Sequence, residues 1–216
     1  MQENKTFRKE IKKELSLDYL LYLPDNYDQE KEWPVILFLH GAGEVGKDLE
    51  LVKTQGLPKY LESVSNFPGI VISPQCPLNC NWEMFLDEAY ELLQNIKNQY
   101  KVNKKKVYLT GLSMGGYGTW SMALKYPDEF AALVPICGGL INQRAVVALK
   151  EIPIWTFHGA KDNVVPFEAS QRLVDILESC NGNIKFTVYP DLRHDSWTVT
   201  YENPSLYEWL FSQLKK

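Results

Sequence analysis

The sequence predicts an α/β fold, in which a mostly parallel, doubly wound sheet carries helices on both faces. Two observations support this class. The apolar runs at residues 35–39 (VILFL) and 69–73 (GIVIS) lack the alternation of half-exposed strands, which is typical of strands buried on both faces. These runs alternate along the chain with segments of helical periodicity, and this order favours parallel strands joined by helices.

Each element is predicted from its own residues. Strands are expected at residues 17–23, 35–39, 69–73, 107–110, 131–137, 154–157 and 184–189. Helices are expected at residues 84–100, 115–126, 167–180 and 204–214. The second helix is ended by Pro127. The first has apolar residues at one-face spacing, namely Phe85, Ala89, Leu92, Leu93, Ile96 and Tyr100. The basic run at residues 101–106 indicates a solvated turn before the next strand.

Length and charge limit the classes of function that the chain can serve. Its 216 residues, of which 45% are hydrophobic, predict a single domain over residues 1–216. The formal charge of −4, from 23 basic and 27 acidic residues spread along the chain, offers no attraction for nucleic acid or an anionic membrane. We therefore expect a small-molecule partner and a chain that is a monomer or a homodimer.

Targeting and redox signals are sparse. The charged N-terminal segment MQENKTFRKEIKKELSL has no apolar core of a secretory signal, and no segment approaches the roughly 20 apolar residues of a membrane helix. These features predict a cytoplasmic protein, with a secreted mature form left open. The cysteines are too few for a disulfide scaffold or a zinc site, and free thiols are expected, with a Cys76–Cys80 bridge as the alternative.

Glycines surround one serine in the stretch VYLTGLSMGGYG, residues 107–118. Gly111, Ser113 and Gly115 form the pattern G-x-S-x-G after a predicted strand and before a predicted helix. Where a strand turns sharply into a helix, the residue at the turn is strained and its neighbours two positions away must lack a Cβ. The pattern predicts that Ser113 presents a nucleophilic hydroxyl at the head of the helix, where free N–H groups favour negative charge. The alternative is an ordinary glycine-rich turn.

A serine nucleophile needs a base, and the base needs an orienting acid. In a doubly wound sheet with this turn the chain order is serine, acid, histidine, and only His194 comes late enough to leave an acid between. Asp162 follows a predicted strand and is the expected acid, whereas Asp191 and Asp195 are too near His194 in sequence. His158 is expected to be a structural, hydrogen-bonding histidine beside the acid loop.

The oxyanion formed in such a reaction needs backbone donors. The N–H of Met114, directly after the nucleophile, is the first expected donor. The loop after an early strand, residues 40–44 (HGAGE), should supply the second. Ala42 is the expected donor and Gly41 the alternative, while His40 itself is expected to be structural.

Four motifs, HGAGE, GLSMGGYGTW, HGAKDNVVP and RHDSW, occur in this order along the chain. Together they resemble the α/β-hydrolase superfamily, and more narrowly its compact branch of phospholipase/carboxylesterases, dienelactone-hydrolase-like proteins and feruloyl or acetyl esterases. The similarity runs from Leu17 onward. It implies an α/β-hydrolase catalytic domain without a large lid or cap domain, and ester hydrolysis through an acyl-enzyme. It also implies a triad of Ser113, Asp162 and His194, with no cofactor and no metal.

The resemblance also bears on the substrate. Dienelactone hydrolases use a cysteine nucleophile, so a serine argues against that substrate. No long insertion separates Phe130 from His158, where many lipases carry a lid, so an open site for short-chain or aromatic acyl esters is expected. Feruloyl and acetyl esters of plant polysaccharide fit this description. Two other functions remain as alternatives: a thioesterase or lysophospholipase of the same chemistry, and a non-catalytic binding module.

Three residues are expected to contact the substrate. Gly41 lies in the proposed oxyanion loop, Trp82 follows a strand-end loop, and Trp197 closely follows the base. The alternative for each tryptophan is a place in the core or at the rim of the site. Trp120, on the helix behind the serine, is expected to be a core residue.

Overall fold

A seven-stranded sheet forms the centre of the computed structural model, which describes residues 2–10 and 12–215. The strands, β1 to β7, are Tyr19–Tyr22, Trp33–Leu39, Ile70–Pro74, Val102–Leu112, Ala132–Ile136, Ile154–Gly159 and Ile184–Tyr189. Their order across the sheet is β1-β3-β2-β4-β5-β6-β7. The first strand pairs antiparallel with β3, and the other pairs are parallel. The predicted mostly parallel sheet is therefore confirmed.

Helices cover both faces of this sheet, as expected. The α-helices, α1 to α6, are Gly56–Leu61, Leu86–Gln99, Met114–Lys125, Glu168–Ser179, Trp197–Tyr201 and Pro204–Ser212. Buried side chains of α2, α3 and α4 belong to one apolar cluster, and those of α1, α5 and α6 belong to a second. Strand β2 contributes to both, because Leu37 packs in the first cluster and Phe38 in the second, each with no exposed surface. This explains why the run VILFL shows no polar alternation.

The basic run at residues 101–106 departs from its prediction. Residues 102–106 begin β4 instead of forming a turn, and Val102 pairs with Trp33 across a register shift. Val102 is buried, which anchors this extension, while Lys104 and Lys105 remain exposed. The charged side chains are solvated as expected, but the backbone that carries them is a strand, so the predicted turn is wrong.

The sheet brings several loops of interest to one edge, because parallel strands end on the same side. The loops after β2, β4, β6 and β7 carry His40, Ser113, Asp162 and His194 respectively. The four cysteines have free thiols, as predicted, and two of them, Cys76 and Cys137, are buried. Within residues 2–10 and 12–215, every helix is too short or too polar to cross a bilayer.

Candidate active site

Ser113 occupies a strained turn between β4 and α3. Its backbone angles are φ 53° and ψ −116°, and residues other than glycine rarely adopt this region. A Cβ on Gly111 would lie 2.8 Å from the Leu39 carbonyl oxygen and would also collide with the carbonyl of Gly115. The glycines thus permit the close approach of backbone that the motif predicted, and the serine begins the helix as its N-cap residue.

Ser113, His194 and Asp162 form a continuous hydrogen-bonded chain. His194 Nε2 lies 2.9 Å from Ser113 Oγ, and His194 Nδ1 lies 2.7 Å from Asp162 Oδ2. These distances place the ring where it can accept the serine proton while the carboxylate fixes its orientation. Three side chains from loops after three different strands meet at the predicted place.

The loop after β6 prepares Asp162 for an ionised state. Its side chain has no exposed surface, and Oδ1 accepts hydrogen bonds from the N–H groups of Val164 at 2.8 Å and Val165 at 3.0 Å. Burial alone would raise the pKa of Asp162, but the hydrogen bonds from His194 and from these two backbone groups lower it below its usual value. A carboxylate that stays ionised can stabilise an imidazolium beside it.

Gly41 is held by hydrogen bonds on both its N–H and its carbonyl. The Gly41 N–H donates to Glu44 Oε2 at 2.8 Å, and the Gly41 carbonyl lies 2.6 Å from His40 Nδ1. Because the Gly41 N–H is engaged, Ala42 is the better placed of the two predicted loop donors. Ala42 begins the 3-10 helix Ala42–Glu44 and Met114 begins α3, so neither N–H has a partner inside its helix.

His40 is fully buried and holds this loop, in accordance with the structural role expected for it. Its Nε2 accepts the Cys76 N–H at 2.9 Å, so Nδ1 carries the proton that it donates to Gly41 O. Burial lowers the pKa of His40 to about 4, despite the hydrogen bond to Gly41, and keeps the ring neutral. Trp82 donates its indole N–H to the His40 carbonyl at 2.8 Å. The buried Trp82 side chain therefore supports the oxyanion loop from below.

The sequence comparisons agree with this geometry. Residues 83–205 match the phospholipase/carboxylesterase family. The chain belongs to this family. It is an α/β-hydrolase and a carboxylic ester hydrolase, as its relatives also indicate.

Its relatives are esterases by name. Carboxylesterase SOBER1 of Arabidopsis thaliana is 28% identical over an alignment of 191 positions, which covers 74% of this chain and 82% of that protein. Feruloyl esterase C of Emericella nidulans is 29% identical over an alignment of 171 positions, which covers 76% of this chain and 62% of that protein. The crystal structure of a thermostable esterase aligns with a TM-score of 0.79 at 35% identity, over 92% of this chain. The present chain spans only 59% of the length of that thermostable esterase.

A mostly apolar cleft of about 420 Å³ begins beside Met114, whose N–H is the first predicted oxyanion donor. It is lined by Asn81, Trp82, Glu83, Met114, Tyr117 and Ile141. The Ile141 side chain is 89% exposed at its rim, and the indole of Trp82 has no exposed surface at its base. Sequence reasoning missed Tyr117, Glu83 and Ile141. Tyr117 could have been found from the sequence, since it lies one helical turn after Ser113, the predicted nucleophile.

Trp197 lies beside His194 and is not among the residues that line this cleft. Its ring packs edge-on against His194 with 5.1 Å between the ring centroids, and its indole N–H donates to Gln55 Oε1 at 3.1 Å. Its neighbours belong to the cluster of α1, α5 and α6, whereas Met114 packs against the other cluster. Trp120 is fully buried, so its predicted core position is confirmed.

In the described part of the chain, one group of side chains offers the donors of a metal site. Cys137 Sγ, one Asp162 oxygen and one His194 nitrogen lie within 4.8 Å of one another. Burial raises the pKa of the Cys137 thiol to about 12, so an ion would have to displace a tightly held proton there. Such an ion would also replace the hydrogen bond between Asp162 and His194.

Proposed function

We propose that the chain cleaves carboxylic esters with Ser113 as nucleophile, His194 as base and then acid, and Asp162 as the orienting carboxylate. The observation that carries this assignment is the pair of contacts at 2.9 Å and 2.7 Å that joins the three side chains. Ser113 Oγ attacks the ester carbonyl carbon as its proton passes to His194 Nε2. The imidazolium then gives this proton to the departing alkoxide, and the acyl group remains on Ser113.

Water completes the cycle by the reverse route. His194 Nε2 takes a proton from the water, whose oxygen attacks the acyl carbon, and the proton returns to Ser113 Oγ as the carboxylic acid leaves. In both half-reactions the carbonyl oxygen becomes negative for a moment. The N–H groups of Met114 and Ala42 stabilise this charge, because each begins a helical turn and lacks a partner inside it.

The cleft beside Met114 accommodates the acyl group in this proposal. His194 approaches the serine from the side of Trp197 and must deliver its proton to the leaving alcohol, so the alcohol occupies that side. The acyl group then extends the other way, over Tyr117 towards Ile141. An apolar cleft of this size suits short-chain or aromatic acyl groups. Feruloyl and acetyl esters of plant polysaccharide are the proposed natural class, in keeping with the relative named feruloyl esterase C.

Two experiments test the proposal. Ser113→Ala should abolish hydrolysis of a short p-nitrophenyl ester and labelling by a fluorophosphonate probe, with an unchanged circular dichroism spectrum. Turnover near that of the parent would overturn the assignment of the nucleophile. A panel of acetyl, butyryl, hydroxycinnamoyl, acyl-CoA and lysophospholipid substrates then ranks the acyl esters against the thioesterase and lysophospholipase alternatives.

The extent of the domain, the cellular location, the partner and the oligomeric state remain predictions. We propose one catalytic domain over residues 1–216, a cytoplasmic location, and a small-molecule ester as the partner, with the chain acting as a monomer or a homodimer. Size-exclusion chromatography with light scattering measures the last of these directly.

A further inference from the structure

A second histidine contacts the catalytic carboxylate. His158, near the end of β6, has no exposed surface, and its Nε2 lies 3.1 Å from Asp162 Oδ2 and 3.1 Å from the Val165 carbonyl oxygen. On the other side of the ring, Nδ1 lies 2.8 Å from Ser170 Oγ. The ring also packs edge-on against Phe167, with 5.7 Å between the centroids. The imidazole is therefore fixed in place by contacts on every side.

The neighbours of the ring determine which nitrogen carries the proton. Burial lowers the pKa of His158, so the ring is neutral and has one N–H. Nε2 faces two oxygens that can only accept, the carboxylate of Asp162 and the carbonyl of Val165, and it must be the donor. The Ser170 hydroxyl is the group that can donate to Nδ1, although the Gly138 carbonyl at 2.7 Å competes for its proton.

We infer that His158 is a positioning residue for Asp162 and acts through it on His194. The inference rests on the proposed role of Asp162 as the triad acid. Three hydrogen bonds reach the carboxylate, from Val164 N–H and Val165 N–H to Oδ1 and from His194 Nδ1–H to Oδ2. His158 Nε2–H, which it shares with the Val165 carbonyl, lies 3.1 Å from Oδ2 as a fourth polar neighbour. An ionised carboxylate has about four acceptor positions, so these four N–H groups match its capacity.

Loss of the His158 donor would affect both the geometry and the charge of the site. No water can replace it easily, because the Asp162 side chain has no exposed surface. Oδ2 would then be held by His194 alone, and the less stabilised carboxylate would become a stronger base. A more basic carboxylate favours the imidazolium of His194, which cannot accept the serine proton. Cys137 and Tyr117 also interact electrostatically with Asp162, but burial raises the pKa of both, so they remain neutral.

Two variants at position 158 separate positioning from packing. His158→Leu removes the donor, and we expect kcat for p-nitrophenyl acetate to fall roughly 10- to 100-fold, the value of one hydrogen bond to an ionised group. KM should not change, because the ring is remote from the substrate cleft. The acidic limb of the kcat/KM profile should move to higher pH. His158→Gln places an amide N–H near the position of Nε2 and should restore most of the lost kcat and the original limb.

A matched control comes from the same face of the same strand. Thr156 is fully buried and donates to the Pro135 carbonyl at 2.9 Å, without contact to Asp162. Thr156→Val should lower the melting temperature and leave kcat and the pH profile unchanged. A His158→Leu enzyme with the kcat and acidic limb of the parent would overturn the inference.

If His158→Leu does not fold, His158→Asn decides the question. Its amide reaches the position of Nδ1 beside Ser170 but not that of Nε2, so a lowered kcat with a shifted limb supports the inference, and the values of the parent overturn it. The proposed function has its own test. If Ser113→Ala is active, the proposed triad is wrong. If Ser113→Ala is inactive and His158→Leu is fully active, only the role of His158 is wrong.

Discussion

Gly115 packs so closely against Leu39 that a Cβ on the glycine would collide with the Leu39 carbonyl oxygen. The same Cβ would lie 2.7 Å from the His40 carbonyl oxygen. The helix that begins at the nucleophile therefore rests directly on the backbone of β2. Backbone atoms of a central strand cannot move aside as a flexible side chain can, so this contact fixes the height of Ser113 above the sheet.

Gly115→Ala should consequently be severely destabilising. We expect the free energy of unfolding to fall by about 4 kcal/mol or more, or no folded protein at all, because the methyl group overpacks backbone against backbone. Gly43→Ala is the matched control, since its Cβ would meet nothing within 4 Å, and a change within about 0.5 kcal/mol is expected. Urea unfolding curves measure both. Equal midpoints for the two variants would contradict the packing described here.

Asp162→Asn should inactivate the enzyme with little change in shape. An amide nitrogen in the place of Oδ2 would turn a donor towards His194 Nδ1, and the ring would then take the tautomer that cannot accept the serine proton. We expect kcat for p-nitrophenyl acetate to fall by about 10⁴-fold, as in other serine triads. Asp191→Asn is the control, because its exposed carboxylate pairs only with Lys161 at 2.7 Å among the described residues. If Asp162→Asn retains its activity, a residue other than Asp162 must be the acid that orients His194.

The meeting of Ser113, Asp162 and His194 could be predicted from the sequence because the chemistry of a triad restricts residue types and chain order. One serine stood between crowded glycines, one histidine came late enough, and one aspartate followed a strand between them. The parallel sheet then brought Ser113, Asp162 and His194 to one edge, as strand ends in such a sheet require. His158 was predicted as a hydrogen-bonding histidine beside the acid loop, and its bonds to Ser170 and Val165 agree with this, but its contact with Asp162 was not predicted. The hydrogen bond of Glu44 to Gly41 was not predicted either. Both contacts depend on the exact path of a loop, which spacing alone does not encode.

Short elements and the substrate cleft escaped prediction for a related reason. Helices α1 and α5 are too short to show helical periodicity. The cleft combines Asn81 and Glu83 from one loop, Tyr117 from α3 and Ile141 from another loop. Each of these residues looks ordinary in its own segment, and only the folded backbone brings them together. The basic run was misread because its lysines suggested a turn, whereas the buried Val102 keeps the segment in β4.

Ile141 should control the length of the acyl group. Its exposed side chain forms the rim of the cleft, so Ile141→Trp should shorten the space available, and Ile141→Ala should lengthen it. We expect the ratio of kcat/KM for p-nitrophenyl octanoate to that for acetate to fall in the first variant and rise in the second. One or two methylene groups change such a ratio by about 10-fold. Val147→Ala, at an exposed valine outside the residues that line the cleft, should leave it unchanged.

The stability of the fold should fall in mild acid because His40 is buried in its neutral form. Its pKa is lowered to about 4 by burial, whereas the unfolded chain binds this proton near pH 6.5. The stabilisation is therefore fully present above about pH 6.5 and is lost as the pH falls towards 4, by about 3 kcal/mol. His158, whose pKa is also lowered by burial, adds to this trend.

Urea unfolding near pH 7 and again at about pH 4.5 measures this dependence. His40→Gln removes the titrating ring, so the loss of stability between the two pH values should be smaller than in the parent. An identical loss in both proteins would show that other groups control acid unfolding. The other two histidines, His158 and His194, both lie in the candidate active site and are not suitable controls. The parent and His40→Gln are therefore compared by the slope of the free energy of unfolding with pH, and not by its absolute value.

Glu44 should matter for turnover although it touches neither nucleophile nor base. Its side chain is only 9% exposed, and its carboxylate fixes the Gly41 N–H, while His40 fixes the Gly41 carbonyl. The peptide between Gly41 and Ala42 is planar and trans, so a carbonyl held on one side directs the Ala42 N–H to the other. Glu44→Ala should free the preceding peptide, between His40 and Gly41, and so loosen the loop that directs the Ala42 N–H. We expect kcat to fall by at least about 10-fold, towards the 10²- to 10³-fold loss of an oxyanion donor.

The accompanying variants separate this effect from a general loss of stability. Glu44→Gln retains an acceptor for the Gly41 N–H and should keep most of the kcat of the parent. Glu50→Ala removes an exposed carboxylate of the next turn, which contacts Lys53 at 2.8 Å, and should have no effect. The rate of fluorophosphonate labelling should follow kcat across the series, because that reaction also places negative charge on an oxygen beside Ala42. If Glu44→Ala lowers the melting temperature but leaves both rates intact, the carboxylate supports the loop without orienting the donor.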